Sequence, residues 1–383
     1  MSALETIRDQ ILTAAAGRRV LRIRGGGSKD FYGQSLEGEL LETAEYSGIV
    51  SYEPTELVLT ARCGTPLGEI DAALKECGQA LPFDPPAFGT NATIGGVVAS
   101  GLSGPRRQSV GAVRDYVLGA ALMNSRAEVL YFGGQVMKNV AGYDVSRLLC
   151  GSMGTLGLIT EVSLKVLPVP PADVTVGWRL KQAPALALMN EWGGQPLPVA
   201  ATAWHGDDLG VRFCGAQAAV AAAVKLFEQR YKAVTLPADE AHSFWQRLRE
   251  QQLAFFQGDA PLWRVSLPST VAPLALAGPT VTTSSDSADV LIEWGGALRW
   301  LRYSGSASEL RAYVAALGGT ACLFRGGDKS VGVFHRLAAI NARINHRLKQ
   351  EFDPLGIFNP GRMYPPRMGA DDVITDAPSP ERA

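Results

Sequence analysis

Residues 133–168 read GGQVMKNVAGYDVSRLLCGSMGTLGLITEVSLKVLP, and this stretch decides how the rest of the chain is read. It holds Lys138 and Asn139, then Gly142, Tyr143 and Asp144, a short apolar helix, the glycines Gly151, Gly154 and Gly157, and one strand. From Leu156 the even positions Leu158, Thr160, Val162, Leu164 and Val166 form one face, while Glu161, Ser163 and Lys165 form the other. That alternation is the signature of a half-buried strand. Glycine costs backbone entropy, so three within seven residues need a reason. They serve either close approach of main chain to a flat or phosphorylated ligand or a set of tight turns.

Working outward toward the N-terminus, residues 18–24 read as a short strand that runs into Gly25, Gly26, Gly27, Ser28 and Lys29. Consecutive backbone N–H groups can wrap an anion there, with a hydroxyl and an ammonium beside them. Each hydrogen bond to a charged group contributes about 1.5–3 kcal/mol, so four or five hold a pyrophosphate firmly. The alternative is a flexible hairpin turn. Neither a GxxxxGK[ST] loop nor a helix-opening GxGxxG is present. Residues 48–53 and 56–62 read as strands. A helix follows, with Thr65 as its cap, Pro66 at its first position, an inward stripe of Ile70, Ala73, Leu74 and Cys77, and Gly78 at its end. Residues 81–111 are rich in proline, glycine and serine. Thr93 can cap a short helix over 94–99, whose Ile94, Gly95 and Gly96 let backbone lie against a ligand. Arg106 and Arg107 follow on a loop, free either to meet an anionic substrate or to face solvent. Residues 113–123 and 128–132 form a hairpin.

At 383 residues the chain is long enough for two domains and a large core. Hydrophobic content of 46% and charged content of 19% are those of an ordinary globular protein. A net charge of −1 gives no bulk attraction to nucleic acid or to an anionic membrane, so no nucleic-acid partner is expected. The N-terminus reads as an amphipathic helix on Leu4, Ile7 and Ile11 rather than a signal peptide. The five cysteines are widely separated with no CxxC, which argues against an iron–sulfur or zinc site in this chain and for reduced, mostly buried thiols of a cytoplasmic protein. Cys63, Cys77 and Cys150 read as core. All four histidines, His205, His242, His335 and His346, lie at or beyond residue 205, so the N-terminal half works without imidazole.

Four segments, IRGGGSKDFYG (23–33), TIGGVVASGLSGPRR (93–107), GAVRDYVLGA (111–120) and KNVAGYDVSRLLCGSMGTLGLITEVSLKVLP (138–168), resemble in order the FAD-binding domain of the vanillyl-alcohol oxidase/PCMH flavoprotein superfamily. FDPLGIFNPGRMY (352–364) is similar to that superfamily's closing segment. Within it the chain most resembles the E-subunit family of bacterial glycolate oxidases, up to Tyr364. The resemblance implies an α+β fold, with a two-subdomain PCMH-type FAD-binding domain over 1–171 and an antiparallel-sheet cap over 172–330. A helix and segment over 331–364 would return to the FAD domain, and 365–383 would be a disordered tail. It implies that Arg24 and residues 25–29 hold the FAD pyrophosphate and that Thr93, Ile94, Gly95 and Gly96 continue the cradle. Gly104, Arg114 and Asp115 would shape the adjoining loop. Lys138, Asn139, Gly142 and Tyr143 would lie near the flavin, as would Asn359, while Gly151, Gly154 and Ile159 pack along adenine and ribose. Many members attach FAD to a histidine in the first loop; Lys29 and its neighbours offer none, so noncovalent FAD is expected.

Beyond Pro170 and Pro171 the texture changes, and residues 172–325 contain a weak internal duplication. Strands at 174–180 and 262–267 are each followed by a hairpin, 201–213 and 291–303, and by an alanine-rich helix, 216–230 and 306–317. This is the grammar of an antiparallel sheet backed by helices. Residues 332–351 read as a basic amphipathic helix containing His335 and Arg336, either solvated or facing another subunit.

Flavin oxidation of a 2-hydroxy acid needs a cation for the carboxylate, a base for the hydroxyl proton, and C2 aimed at the flavin. Arg106, Arg325 and Arg362 are candidate clamps, and His335 and Tyr143 are candidate bases. Related dehydrogenases carry an HxGDGN-like metal-binding cluster; here only His205, Gly206, Asp207 and Asp208 stand in its place. The resemblance therefore implies a subunit that oxidises glycolate to glyoxylate alongside a second FAD-binding subunit bearing the histidine cluster and an iron–sulfur subunit, at the inner membrane surface through its complex. The alternative is an accessory flavoprotein, scaffold or relay, without turnover of its own. A reductase of the peptidoglycan-precursor type on the same fold would need NADPH and sugar-nucleotide features that the sequence does not signal.

Overall fold

A computed structural model of the chain describes residues 2–134, 144–275, 289–365 and 373–374. Helix α1 (Ala3–Gly17) starts at Ser2, whose hydroxyl and Glu5 cap each other's backbone N–H groups, and it buries Ile7, Ile11 and Ala14. Strand β1 (Leu21–Arg24) pairs in parallel with β2 (Glu39–Glu42), a four-residue strand too short to show in the pattern. Then come β3 (Ile49–Glu53), β4 (Val58–Arg62), α2 (Leu67–Glu76), β5 (Gln79–Ala80), α3 (Ile94–Ser100) and α4 (Arg107–Val110). After them are β6 (Val117–Met123), β7 (Val129–Gly133), α5 (Val145–Leu148), β8 (Leu158–Lys165) and β9 (Leu167–Pro168). An antiparallel sheet of order β3-β4-β8-β6-β7 forms the middle layer. Helices α2 and α3 pack on one face through Leu67, Ile70, Leu74, Ile94, Val97 and Val98. Helix α1 covers the other, meeting Leu158, Met123 and Phe358.

Both faces of β8 are therefore covered, and its residues 158–160 and 162–164 are all buried. The even-position stripe expected from the sequence holds only in its second half. At Thr160 the β6·β8 register slips, with Ala121 opposite Glu161 but Leu122 opposite Ile159, and this bulge reverses the alternation. Before it, Ile159 faces the α2/α3 core; beyond it, Val162 and Leu164 do. The cap of α2 also differs. Pro66, not Thr65, is the N-cap residue, and the Thr65 hydroxyl donates to the Arg62 carbonyl at 2.7 Å and accepts from Gly48 N–H at 2.9 Å. Cys77 ends that helix exposed rather than in its buried stripe. Helix α3 carries two glycines, each costing about 1 kcal/mol; burial of Ile94, Val97 and Val98 at about 1.5–3 kcal/mol apiece outweighs them.

The second sheet has eight strands: β10 (Ala172–Arg179), β11 (Val199–His205), β12 (Asp208–Gly215), β13 (Val234–Thr235), β14 (Leu262–Ser266), β15 (Val290–Glu293), β16 (Leu298–Arg302) and β17 (Thr320–Arg325). Its order is β13-β10-β12-β11-β15-β16-β14-β17. Each half thus runs fourth–first–third–second in its own numbering, and the halves join through their second strands, with Ala203 opposite Glu293. Helices α6 (Gln182–Gly193) and α7 (Gln217–Tyr231) cover one face of the first half. Helix α9 (Ala307–Ala316) covers the same face of the second half, against Trp263, Val265 and Leu323. The other face, joined by α8 (Ala238–Arg249), packs toward the first sheet through Trp300 and Phe324 against Tyr32, Leu102 and Met153.

The last helix, α10, spans Ala339–Phe352. It begins later than the sequence pattern places it, so His335 and Arg336 lie outside it, in a segment that runs beside β17. Lys349 does not face solvent as expected: its ammonium donates to the carbonyls of Thr155 and Phe358 and pairs with buried Asp353 at 2.5 Å. Of the expected tail, residues 373–374 pair in parallel with 337–338, and the remainder from 366 lies outside the described residues.

Candidate functional site

Residues 25–29 leave β1 and turn across the N-terminus of α3, walling a cleft of about 560 Å³ with Arg24, Thr93, Gly96, Met153 and Asn359. The N–H groups of Gly26, Gly27, Ser28 and Lys29 meet no main-chain acceptor among the described residues. Such orphan donors suit an anion. Glycine is required by the walls: a Cβ on Gly26 would overlap the Asn91 carbonyl, and one on Gly25 the Thr93 hydroxyl. Thr93 caps α3, accepting from Gly96 N–H at 3.4 Å. Lys29 Nζ donates to the Ala87 carbonyl at 3.3 Å and sits over the Phe88 ring at 5.7 Å. Burial pulls its ammonium down to about 8, opposed by the nearby Glu250 carboxylate, and an anion in the cleft would push it back up.

The far wall is built by the C-terminal segment. Asn359 Oδ1 accepts from Ile23 N–H at 2.8 Å and its Nδ2 donates to the Met153 carbonyl at 2.7 Å, which joins β1 to the glycine turn at 151–154. Gly154, at φ +69°, would place a Cβ 2.8 Å from that Asn359 Nδ2, so only glycine closes the turn. Gly151 packs against Gly101 at the C-terminus of α3. Arg362 lines the same cleft, but its guanidinium donates to the carbonyls of Gln34, Asp30 and Tyr32, which makes it a brace for the loop after residue 29.

The remaining expected residues are dispersed. Gly104 lies at the junction with the second sheet, where its carbonyl accepts from Trp294 Nε1 at 3.0 Å. Arg114 and Asp115 are exposed, and Asp115 accepts from Ala112 N–H at 2.8 Å to fix the turn before β6. Gly95 packs on Cys63, and the Ile94 and Ile159 side chains are committed to the core. Lys138, Asn139, Gly142 and Tyr143 lie outside the described residues. Arg325 stacks over Phe31 with 4.5 Å to the ring centroid. His335 accepts at Nδ1 from Ala321 N–H at 3.3 Å and faces Trp263 and Arg311 on the α9 side of the sheet; the structure does not bring it to the cleft. His205 Nδ1 lies 3.0 Å from the Val290 carbonyl and its ring packs on Phe255 at 5.1 Å, so the turn histidine is a sheet residue. Cys63 is buried, with its thiol pushed up to about 12 by burial.

A second, smaller cavity opens where the loop 102–105 after α3 meets the second sheet. Lys29 and Phe88 stand between it and the first cleft. Its walls include Phe88, Gly104, Arg264, Glu293, Trp300 and Phe324. Glu293 is buried, its Oε1 accepting from Trp300 Nε1 at 2.7 Å. Burial pushes this carboxyl up to about 7 even though the Trp300 hydrogen bond and the Arg264 charge pull the other way. Arg264 stacks on Trp294 at 5.2 Å, and Arg107 stacks on the same ring at 4.3 Å. The sequence reading missed both Arg264 and Glu293, because a charged residue in an alternating strand reads as a solvent face. The available signal was the acid in VLIEWGG, an otherwise apolar run ending in a glycine turn.

A family model described as FAD binding domain matches residues 3–133. An α+β chain with a FAD-binding domain is a flavoprotein, and FAD is its cofactor. Over 361 residues the chain is 44% identical to glycolate oxidase subunit GlcE of Escherichia coli (strain K12), covering 94% of this chain and 97% of that protein. It therefore belongs to the GlcE family. Glycolate oxidase subunit GlcD of Bacillus subtilis (strain 168) is 31% identical over 171 residues, which are 44% of this chain and 36% of that one. Among solved structures, an alkyldihydroxyacetonephosphate synthase superposes with a TM-score of 0.64 at 15% identity, covering 93% of this chain and 75% of that one, a likeness of fold alone. No helix among the described residues is long and apolar enough to cross a membrane.

Proposed function

We propose that this chain is the FAD-binding subunit of a complex that oxidises glycolate, or a close 2-hydroxy acid, to the 2-oxo acid. It works in the cytoplasm, at the membrane surface through that complex. Its partners are a second FAD-binding subunit carrying a histidine cluster and an iron–sulfur subunit that takes the electrons. Similarity to a glycolate oxidase subunit over nearly the whole chain carries the reading, and the cleft supports it. FAD supplies hydride acceptance and two-electron storage. Residues 25–29 and the start of α3 hold the pyrophosphate, Lys29 balances its charge, and Asn359 and Arg362 keep the loop in place. The FAD is noncovalent: the loop offers no histidine, and the Cys63 thiol is buried and protonated.

The test is the visible spectrum of the purified full chain. A yellow protein carrying FAD, released on denaturation and bleached by glycolate alone or with its partners, is the expected result. Bleaching that occurs only through the partner subunit makes this flavin a relay. A folded, colourless chain that refuses added FAD overturns the reading.

A further inference from the structure

The first cleft runs along α3 from Thr93 to Ser100, and the second cavity opens beyond its C-terminus. The first receives the helix N-terminus at Thr93, and the second receives the loop that follows its C-terminus, at 102–105. Six residue steps from Ile94 to Ser100 rise about 9 Å, so a dinucleotide with its pyrophosphate on residues 25–29 has the reach to bring its ring toward the second cavity. What lines that cavity then decides what the ring can oxidise.

Three buried arginines of the second half, two on β16 and one on α9, are committed to main chain, whereas Arg325 on β17 is stacked on Phe31. Arg299 donates to the carbonyls of Gly296, Ala272 and Val271; Arg302 to those of Phe255, Gly258 and Ala260; Arg311 to those of Val331, Gly332 and Val333. Each pins a loop. Arg264 sits on the central part of β14 and lines the cavity, and its guanidinium makes no hydrogen bond or ion pair among the described residues. It stacks on the Trp294 ring, which fixes the guanidinium plane while leaving the N–H edge free. Glu293, two strands away in the same wall, is 5% exposed. Its Oε1 is held by Trp300, and its other oxygen has no hydrogen bond among the described residues. The free Glu293 oxygen and the Arg264 guanidinium line one cavity without pairing with each other, which leaves both able to meet one small molecule between them.

We propose that Arg264 and Glu293 form the substrate end of the flavin site: Arg264 binds the carboxylate of a small 2-hydroxy acid, and the free oxygen of Glu293 accepts its hydroxyl proton. The inference rests on the function proposed above. A guanidinium matches a carboxylate bidentately, and the adjacent Arg107 adds a second positive charge without entering the pair. Glu293 would take the O–H proton while the C2–H electron pair left as hydride, which FAD held by residues 25–29 would accept, and C2–O would become a carbonyl; the acid would lose one hydride and one proton, a two-electron oxidation. The nearly neutral titration of Glu293 fits a group that must both take and release a proton near physiological pH. Phe88, Leu248, Trp300 and Phe324 supply apolar wall and Arg249 and Gln251 polar wall, a confined site that favours an acid with little or no side chain.

The probe is oxalate, a dianion of glycolate's size, titrated into the FAD-loaded full chain and followed by calorimetry and by the shift of the flavin spectrum. Arg264→Met is expected to weaken oxalate binding at least 30-fold while FAD content stays unchanged. Glu293→Gln is expected to keep oxalate binding within about threefold but to slow bleaching by glycolate at least 100-fold. If Arg264→Met fails to retain FAD, Arg264→Lys is read instead, with oxalate weakened at least fivefold. Wild-type oxalate affinity in the Arg264 variants, or wild-type bleaching in Glu293→Gln, overturns the inference and leaves the proposed function standing. A wild-type chain that holds FAD yet neither binds oxalate nor is bleached by glycolate, with or without partners, overturns both, and one that holds no FAD overturns the function at its root.

Discussion

The two halves of the eight-stranded sheet share one strand order but differ in what they bury. In the first half the buried polar side chains of the strands are Thr175 and Thr202, and the helix-covered face is an aromatic cluster of Trp192, Trp204, Phe213 and Phe227. The second half buries Glu293, Arg299 and Arg302 on its strands and Arg311 on α9. The contrast is sharpest at the join. Trp204 and Trp294 each precede a turn, and the residues before them, Ala203 and Glu293, stand opposite each other across β11 and β15. At matched positions one half has a methyl group and the other a carboxyl. A duplicated scaffold can thus keep one half apolar and load the other with charge, since buried charge is tolerated only where partners compensate it: the three arginines by loop carbonyls, Glu293 at the cavity wall by Trp300.

Trp204 and Trp294 give the largest test of this contrast. Trp204 is fully buried and donates to the Leu180 carbonyl at 2.7 Å, so Trp204→Ala should cost about 3–5 kcal/mol in denaturant unfolding while the folded fraction keeps its FAD. Trp294→Ala also removes the hydrogen bond to Gly104 and the platform under Arg264, so it should lower both stability and oxalate affinity. Equal ligand effects from the two variants would break the comparison. Gly26→Ala comes next. Overlap with the Asn91 carbonyl should cut FAD affinity about 100-fold, or about 2.7 kcal/mol, measured by flavin titration. With the cleft emptied, amide exchange should rise in β14–β17 more than in β10–β13; a uniform rise would show that the charged half is not the one coupled to the cofactor.

On stability, Glu293→Gln has the smallest expected effect, and it has a definite sign. Its carboxyl titrates at about 7 in the fold against an ordinary 4.5, so ionisation opposes folding. The charged groups acting on it are Arg264 and Asp84, with Arg249 also on the cavity wall. Stability is therefore lost as pH rises from about 4.5 to about 7 and is level above that. The amide escapes this loss, so the variant should gain on the order of 1–3 kcal/mol over the parent near pH 8 and much less near pH 5, read from thermal melts. No gain near pH 8 would mean that the carboxylate is already compensated in the unliganded chain.

Local chemistry made much of this architecture legible. Glycines whose Cβ atoms would collide, a threonine cap before Ile94 and alternating hairpins are all local signals, and each resolves into a loop, a helix or a strand pair. Long-range events were hidden. The bulge at Thr160 depends on β6, the four-residue β2 exists only because β1 lies beside it, and His335 is drawn out of the helix pattern by its bond to β17. Arg264 and Glu293 are ordinary as single letters and become a pair only when β14 and β15 line one cavity. Arg362 reads as a candidate carboxylate clamp because sequence does not show the three carbonyls it meets.

Asn359 joins Ile23 to Met153, and Lys349 with Asp353 secures the segment that delivers it. During synthesis, the loop at 25–29 emerges more than three hundred residues before the side chain that completes its wall. The wall of that cleft is therefore complete only after residue 359 has been made, so a chain ending ahead of it is expected to hold FAD less tightly than the full chain.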